Sequence, residues 1–258
     1  MDTTGKFISF YTIVRKDIIR IVRLWAQTFL PSAITSILYF LIFGTFLGSR
    51  IGDINGVSYI NFVVPGLVML AVVTNSFSNV ATTFFTSKFF MRNIEEILVS
   101  PTPPWVLVAG FIAGGIARGV LVGILVLLIS LFFGHLAIHS LSVVVVFLLL
   151  TSLIFSLGGL INGIYAKSFD GISIIPTFVL TPLVYLGGVF YSVNVLPSFW
   201  QTVSHLNPIF YIINGFRYGF LGFADSSLAV SIGILVTLAA ILLGISLYLL
   251  RTGLGLRQ

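Results

Sequence analysis

The stretch SKFFMRNIEEILVSPTPPW, residues 87–105, interrupts two long apolar runs. Lys88, Arg92, Glu95 and Glu96 fall within it, and Pro101, Pro103 and Pro104 follow, in a chain that is only 8% charged. Upstream, residues 54–87 carry no charge; downstream, residues 105–133 carry one, Arg118. A connection of this kind between two runs of that length reads as a polar turn between two membrane spans, since about 20 largely apolar residues cross ~30 Å of hydrocarbon.

The same reading extends along the chain. Six candidate spans are expected at 24–47, 60–85, 105–133, 140–166, 171–191 and 227–250. The mean hydropathy of +1.14 and the 58% hydrophobic content agree. Soluble chains are about 25% charged, so this one cannot clothe a water-facing surface. The expected fold class is an all-α polytopic membrane protein. With no cysteine, disulfides, thiolate metal sites and cysteine nucleophiles are excluded. The net charge of +6 is not read as nucleic-acid binding, because basic residues in membrane proteins mark cytoplasmic segments.

If both termini are cytoplasmic, ten basic residues lie inside: Lys6, Arg15, Lys16, Arg20, Arg23, Lys88, Arg92, Lys167, Arg251 and Arg257. Only Arg50 and Arg217 lie outside. This asymmetry predicts the orientation.

Two regions are not ordinary spans. Residues 1–23 are expected to form an interface helix. Phe7, Phe10, Tyr11, Val14, Ile18, Ile21 and Trp25 share one face, and Ser9, Thr12, Lys16, Arg20 and Arg23 the opposite one. Such a helix lies along the inner surface of a bilayer, its basic face drawn to anionic lipid, or is a solvated leader packed on the protein; the basic and aromatic faces favour the first. Residues 192–224 are too polar and proline-broken to span, yet too aromatic for a hydrated loop. Two short helices starting near Pro197 and Pro208 are expected to dip into the outer leaflet and return, with proline suited to a first helical turn.

Within the opening stretch, Arg92 is spaced to pair with Glu95 and Glu96 across one helical turn. Phe89, Phe90, Ile94, Leu98 and Val99 supply an apolar side, and Pro101 ends the helix by disfavouring helical geometry at Ser100. Residues 88–101 therefore read as a short stiff helix outside the bilayer, either a solvated hairpin or a docking element. The apolar pair Phe89-Phe90 and the proline hinge favour docking.

Three stretches together resemble the membrane subunit of bacterial ABC transporters of the type-2 permease family: RNIEEILVSP (92–101), YLGGVFYSVNVLPSFWQ (185–201) and HLNPIFYIINGFRYGFLG (205–222). The resemblance covers nearly the whole chain. It implies an interface helix, six spans, a cytoplasmic coupling helix at 88–101 and re-entrant helices before the last span. By it, Phe89, Arg92, Asn93, Glu95, Glu96 and Pro101 would transmit ATP-driven closure, and Pro197, Asn207, Pro208 and Arg217 would shape the re-entrant region. It also implies a homodimer in the bacterial inner membrane, surrounded by lipid and bound to two ATPase subunits that hold ATP and Mg. The complex would export a hydrophobic or amphipathic molecule: a lipid, a lipid-linked glycan or a drug-like compound. The chain has no phosphate-binding G-x-x-x-x-G-K-[ST] loop, so it is not expected to be an enzyme or to bind a cofactor itself.

Inside the spans, Arg118 is expected near mid-bilayer, facing protein or water, on the cargo route or as a structural pin. The glycines at 110, 114, 115, 119 and 123 around it have the spacing that lets helices approach closely, within the subunit or at a dimer seam. Asn75, Ser76, Asn79, Thr83 and Thr181 are candidates for the route or for interhelical hydrogen bonds. His135, His139 and His205 have no metal-ligand spacing, and no metal is expected. An ion-coupled secondary transporter is the alternative, but no span carries an aspartate or glutamate for a proton relay.

Overall fold

A computed structural model of the protein describes residues 2–54, 56–90, 102–134 and 137–255. Six helices are long and apolar enough to cross a membrane. Helix α1, Thr3–Arg23, ends at a break at Leu24, and α2, Trp25–Leu47, is the first span. A two-residue hairpin, β1 (Asp53–Ile54) with β2 (Val57–Ser58), pairs Asp53 with Ser58 and Ile54 with Val57. Then come α3 (Tyr59–Phe89), α4 (Pro104–Ser130), α5 (Leu141–Tyr165) and α6 (Phe169–Leu186). Two short helices, α7 (Ser198–Leu206) and α8 (Pro208–Leu221), precede α9 (Leu228–Thr252).

Several bounds differ from expectation. The second span runs on to Phe89 rather than Phe85, because no proline or glycine stops it. The fifth ends at Leu186 rather than Tyr191, where Gly187 and Gly188 break the helix and Gly188 takes a φ of 82°. Two spans contain wide π-helical turns, Phe40–Leu47 in α2 and Pro176–Leu180 in α6. In α6 the missing N–H of Pro176 removes one rung of the hydrogen-bond ladder, and the Thr181 hydroxyl donates to the Pro176 carbonyl at 2.9 Å.

The core is α3 with α4 and α5 packed on it. In its most apolar window α3 is 72% buried, against 11% for α2, so α3 is central and α2 peripheral. Glycines decide how closely these helices approach. A Cβ at Gly115 would overlap Ser156 and Val80, and one at Gly119 would overlap Ser76. Thus one side of the α4 glycine stripe seats α3 and α5. Its other side seats α1: a Cβ at Gly110 would lie 2.8 Å from Ile13, and one at Gly114 would overlap the Asp17 carboxylate. The described stripe serves packing within one chain.

That contact corrects the simple picture of α1 as a helix with one apolar and one outward polar face. Phe7, Tyr11, Val22 and Trp25 are exposed, while Asp17 and Ile21 are buried and Arg20 turns into the bundle. Gly114 removes the side chain that would otherwise hold the acidic position of α1 away from α4.

At the opposite end of the bundle α8 lies buried against α3, α5 and α9. A Cβ at Gly215 would overlap the ring of Phe147, so this glycine permits the seat on α5. Both α8 and α9 stop at left-handed glycines, Gly222 and Gly253, the usual way of turning a chain at a helix C-terminus.

Candidate functional site

The polar residues singled out within the second span separate into three environments. Asn79 and Thr83 join a cluster with α1 and α4. The Asp17 Oδ1 accepts from Arg20 Nη2 at 2.7 Å, and its Oδ2 accepts from Asn79 Nδ2 at 3.0 Å. The Asn79 Oδ1 in turn accepts from Arg20 Nη2 at 2.7 Å and from Arg118 Nη1 at 3.4 Å. Thr83 donates to the Asn79 carbonyl at 2.6 Å. Asp17 and Asn79 are 5% and 1% exposed, so a carboxylate and an amide from helices distant in sequence satisfy each other away from solvent. Arginine at the centre of a span costs about 2.5–3.5 kcal/mol on insertion scales. Arg118 here meets only a neutral oxygen among its described partners, and its buried Nε–H has none.

Ser76 is fully buried where α4 crosses α3, opposite Gly119. It belongs to the helix seam rather than to any route a substrate could use.

Asn75 and Thr181 line a third environment, a groove of about 310 Å³ between α2, α3 and α6. Asn75 Nδ2 donates to Ser32 Oγ at 3.1 Å and to the Ala71 carbonyl at 2.9 Å. Thr35, Ser36 and Thr74 add hydroxyls, while Pro31, Leu67, Leu70 and Ala71 supply apolar wall. Serine and threonine satisfy themselves on helical carbonyls, as Thr74 does on Leu70 at 2.9 Å. Such a wall is mildly polar without carrying charge.

At the end of the bundle shared by α1 and the 91–101 connection, Lys88 ties three helices together. Its Nζ donates to the Ile164 carbonyl at 3.0 Å and to the Gly255 carbonyl at 2.5 Å, at the ends of α5 and α9. Next to it Phe89 packs against Phe85, the rings tilted by 40° with centroids 4.7 Å apart. Phe85 and Phe90 both meet Phe169 at the start of α6, at 5.0 and 5.3 Å. The residues leading into the 91–101 segment are therefore packed onto the fourth, fifth and sixth spans. Arg92, Asn93, Glu95, Glu96 and Pro101 lie outside the described residues.

At the other end Arg217, expected in the re-entrant region, lies buried on α8. It is 3% exposed, donates from Nη2 to the Gly188 carbonyl at 2.7 Å, and lies 3.8 Å from the centroid of the Phe62 ring. The aromatic face compensates part of its desolvation. Asn207 caps α8 by accepting from Ile209 N at 3.0 Å and donates to the Leu183 carbonyl at 2.5 Å. Pro208 occupies the first turn of α8, and Pro197 precedes that of α7. Asn214 accepts from Asp225 N at 2.8 Å and donates to Ser226 at 2.9 Å, fixing the entry to α9.

Sequence reasoning missed Asp17, the inward turn of Arg20, and the anchoring role of Lys88. A signal existed for Asp17: it stands three residues after Val14 and four before Ile21, on the edge of the apolar face of α1. Nothing local marked Lys88, whose partners are 76 and 167 residues away.

A family model described as ABC-2 type transporter matches residues 8–221. The chain is 54% identical over 252 residues to the inner membrane transport permease YadH of Escherichia coli (strain K12), with 98% of each chain covered. It is 27% identical over 232 residues to nodulation protein J of Rhizobium meliloti (strain 1021), covering 88% of each. Over 206 residues it is 27% identical to nodulation protein J of Sinorhizobium fredii, covering 80% of this chain and 78% of that one.

Proposed function

The chain belongs to the ABC-2 type transporter family and is a permease, the multi-pass inner-membrane subunit of an ABC transporter whose ATPase is a separate subunit, and we propose that it exports an amphipathic molecule through the groove between α2, α3 and α6. The observation that carries this reading is the wall of that groove, where Ser32, Thr35, Asn75 and Thr181 are set among Pro31, Leu67 and Leu70. An ion path is built from carbonyls or charged rings. A wall of scattered hydroxyls and one amide, without a formal charge, suits a solute with an apolar body and neutral polar groups, such as a lipid or a lipid-linked glycan.

Two copies associate along the exposed faces of α2 and α6, which a single chain leaves largely uncovered. The end bearing α1, residues 91–101, Lys167 and the close of α9 faces the cytoplasm, in keeping with its basic residues. There the segment carrying Arg92, Asn93, Glu95, Glu96 and Pro101 meets two ATPase subunits and couples them to the spans. Phe89 and Lys88 pass its movement to α5, α6 and α9. Closure of the ATPases on ATP with Mg would then shift the outer spans against α3 and change the width of the groove.

The test is reconstitution of the permease with its ATPase in liposomes carrying a nitrobenzoxadiazole-labelled glucosylceramide, a lipid whose polar group is neutral. ATP should change the fraction of probe accessible to dithionite, and Asn75→Leu with Thr181→Val should reduce that change while the ATPase still co-purifies. Movement of the probe by the permease alone, driven by an ion gradient, would overturn the reading.

A further inference from the structure

We propose that a second, separate site binds a phosphate-class oxyanion between Arg20 and Arg118. A cavity of about 200 Å³ lies where α1, α2, α3 and α4 meet, lined by Arg20, Arg118, Asn79, Gln27, Thr28 and Thr82. At ~30 Å³ per water this is room for roughly six waters, ample for one phosphate group with an ester link. The proposal does not depend on what the groove exports.

Charge balance carries the argument. Both guanidiniums are cations, and Asp17 is the carboxylate of the cluster. Its two oxygens are already engaged, one by Arg20 at 2.7 Å and the other by Asn79 at 3.0 Å. Among the described residues Arg118 reaches only the neutral Asn79 oxygen, at 3.4 Å, and its buried Nε–H is without an acceptor. Among the described residues the cluster therefore holds two cations against one committed anion, around Asp17 and Asn79 that are 5% and 1% exposed, where an unbalanced charge is costly.

Geometry selects the class of anion. Arg20 and Arg118 both reach the same amide oxygen, so their guanidiniums converge from α1 and α4, while Thr82 on α3 and Thr28 on α2 add hydroxyls from two further directions. A planar carboxylate accepts from one or two sides. A tetrahedral phosphate presents oxygens to all of them, and guanidinium forks match it in paired hydrogen bonds. The phosphate could be carried on a lipid or be free. Ile21 and Leu24 also line the cavity, and Ile18 and Val22 on α1 and Trp25 at the start of α2 are exposed, so an acyl chain would meet apolar surface on leaving it.

The experiment measures thermal stabilisation and ligand retention by native mass spectrometry on the purified full chain. Phosphatidylglycerol, inorganic phosphate and oleate are compared as probes. Stabilisation by phosphatidylglycerol but not by phosphate assigns the site to a lipid headgroup, and stabilisation by both assigns it to the bare oxyanion. Arg118→Gln should lower retention about ten-fold, as expected for loss of one charge-assisted pair. Asp17→Asn removes the competing carboxylate and should raise retention, a change that misfolding cannot mimic. Three outcomes each overturn the proposal: no stabilisation of the wild-type chain by either phosphate probe, an equal effect of oleate, or indistinguishable retention by wild type, Arg118→Gln and Asp17→Asn.

Discussion

Replacing Lys88 with methionine keeps an unbranched side chain, one heavy atom shorter, and removes the ammonium group with its hydrogen-bond donors. The lysine sits at the end of α3 and donates to carbonyls near the ends of α5 and α9, at 3.0 and 2.5 Å. Cations at helix C-termini are favoured by the macrodipole, so one ammonium serves two helix ends. Hydrogen bonds involving a charged partner contribute about 1.5–3 kcal/mol each. Both carbonyls stand near the end of the bundle, where water replaces part of the loss, so the net cost is about 2 kcal/mol for the pair. For a chain of this size each kcal/mol moves Tm by about 2–4 °C, giving a fall of about 4–8 °C. The assay is thermal unfolding of the purified permease in detergent, followed by tryptophan fluorescence. Because the change lies at the first residue of the proposed coupling segment, 88–101, and leaves Arg92, Glu95 and Glu96 intact, the ATPase should still co-purify, but turnover stimulated by the transported probe should drop. A variant with the melting temperature and coupling of the wild type would show that Lys88 neither ties the helices nor transmits movement.

Two further predictions follow the same logic. Glu95→Ala with Glu96→Ala should leave membrane insertion intact and weaken both ATPase association and stimulated ATP turnover; unchanged stimulated turnover in liposomes would count against residues 88–101 as the coupling helix. Gly159→Ala should destabilise the permease by about 1–3 kcal/mol, as overpacking of a tight contact does, because its Cβ would overlap the Phe77 carbonyl oxygen and lie 3.1 and 3.2 Å from the Phe77 backbone carbons. Gly244→Ala, with open space around it, should be neutral or slightly stabilising through helix propensity, and equal melting of the two variants would refute the packing of α3 on α5.

The sequence alone determined that the chain crosses a membrane on six helices, because the signal is local. Length and hydropathy of each run decide insertion, although the span expected to reach Tyr191 stops at Leu186, before the glycine pair Gly187-Gly188. It also singled out Arg118, Asn79 and Asn75 as polar residues that lipid would not tolerate uncovered. What it could not supply was their grouping. Asn75 and Asn79 are one turn apart on one helix, yet one faces a groove toward α2 and α6, and the other holds Asp17 and Arg118 from α1 and α4. In a span that is apolar all round, periodicity carries little information about which face meets which neighbour. That choice is made by glycines such as Gly114 and Gly119 meeting side chains far away in sequence. Only the packed bundle decided that Asp17 is buried, that Arg217 rests on Phe62, and that Lys88 closes three helices at one end. Such partners are chosen by helix approach in three dimensions, and no local stretch of chain records it.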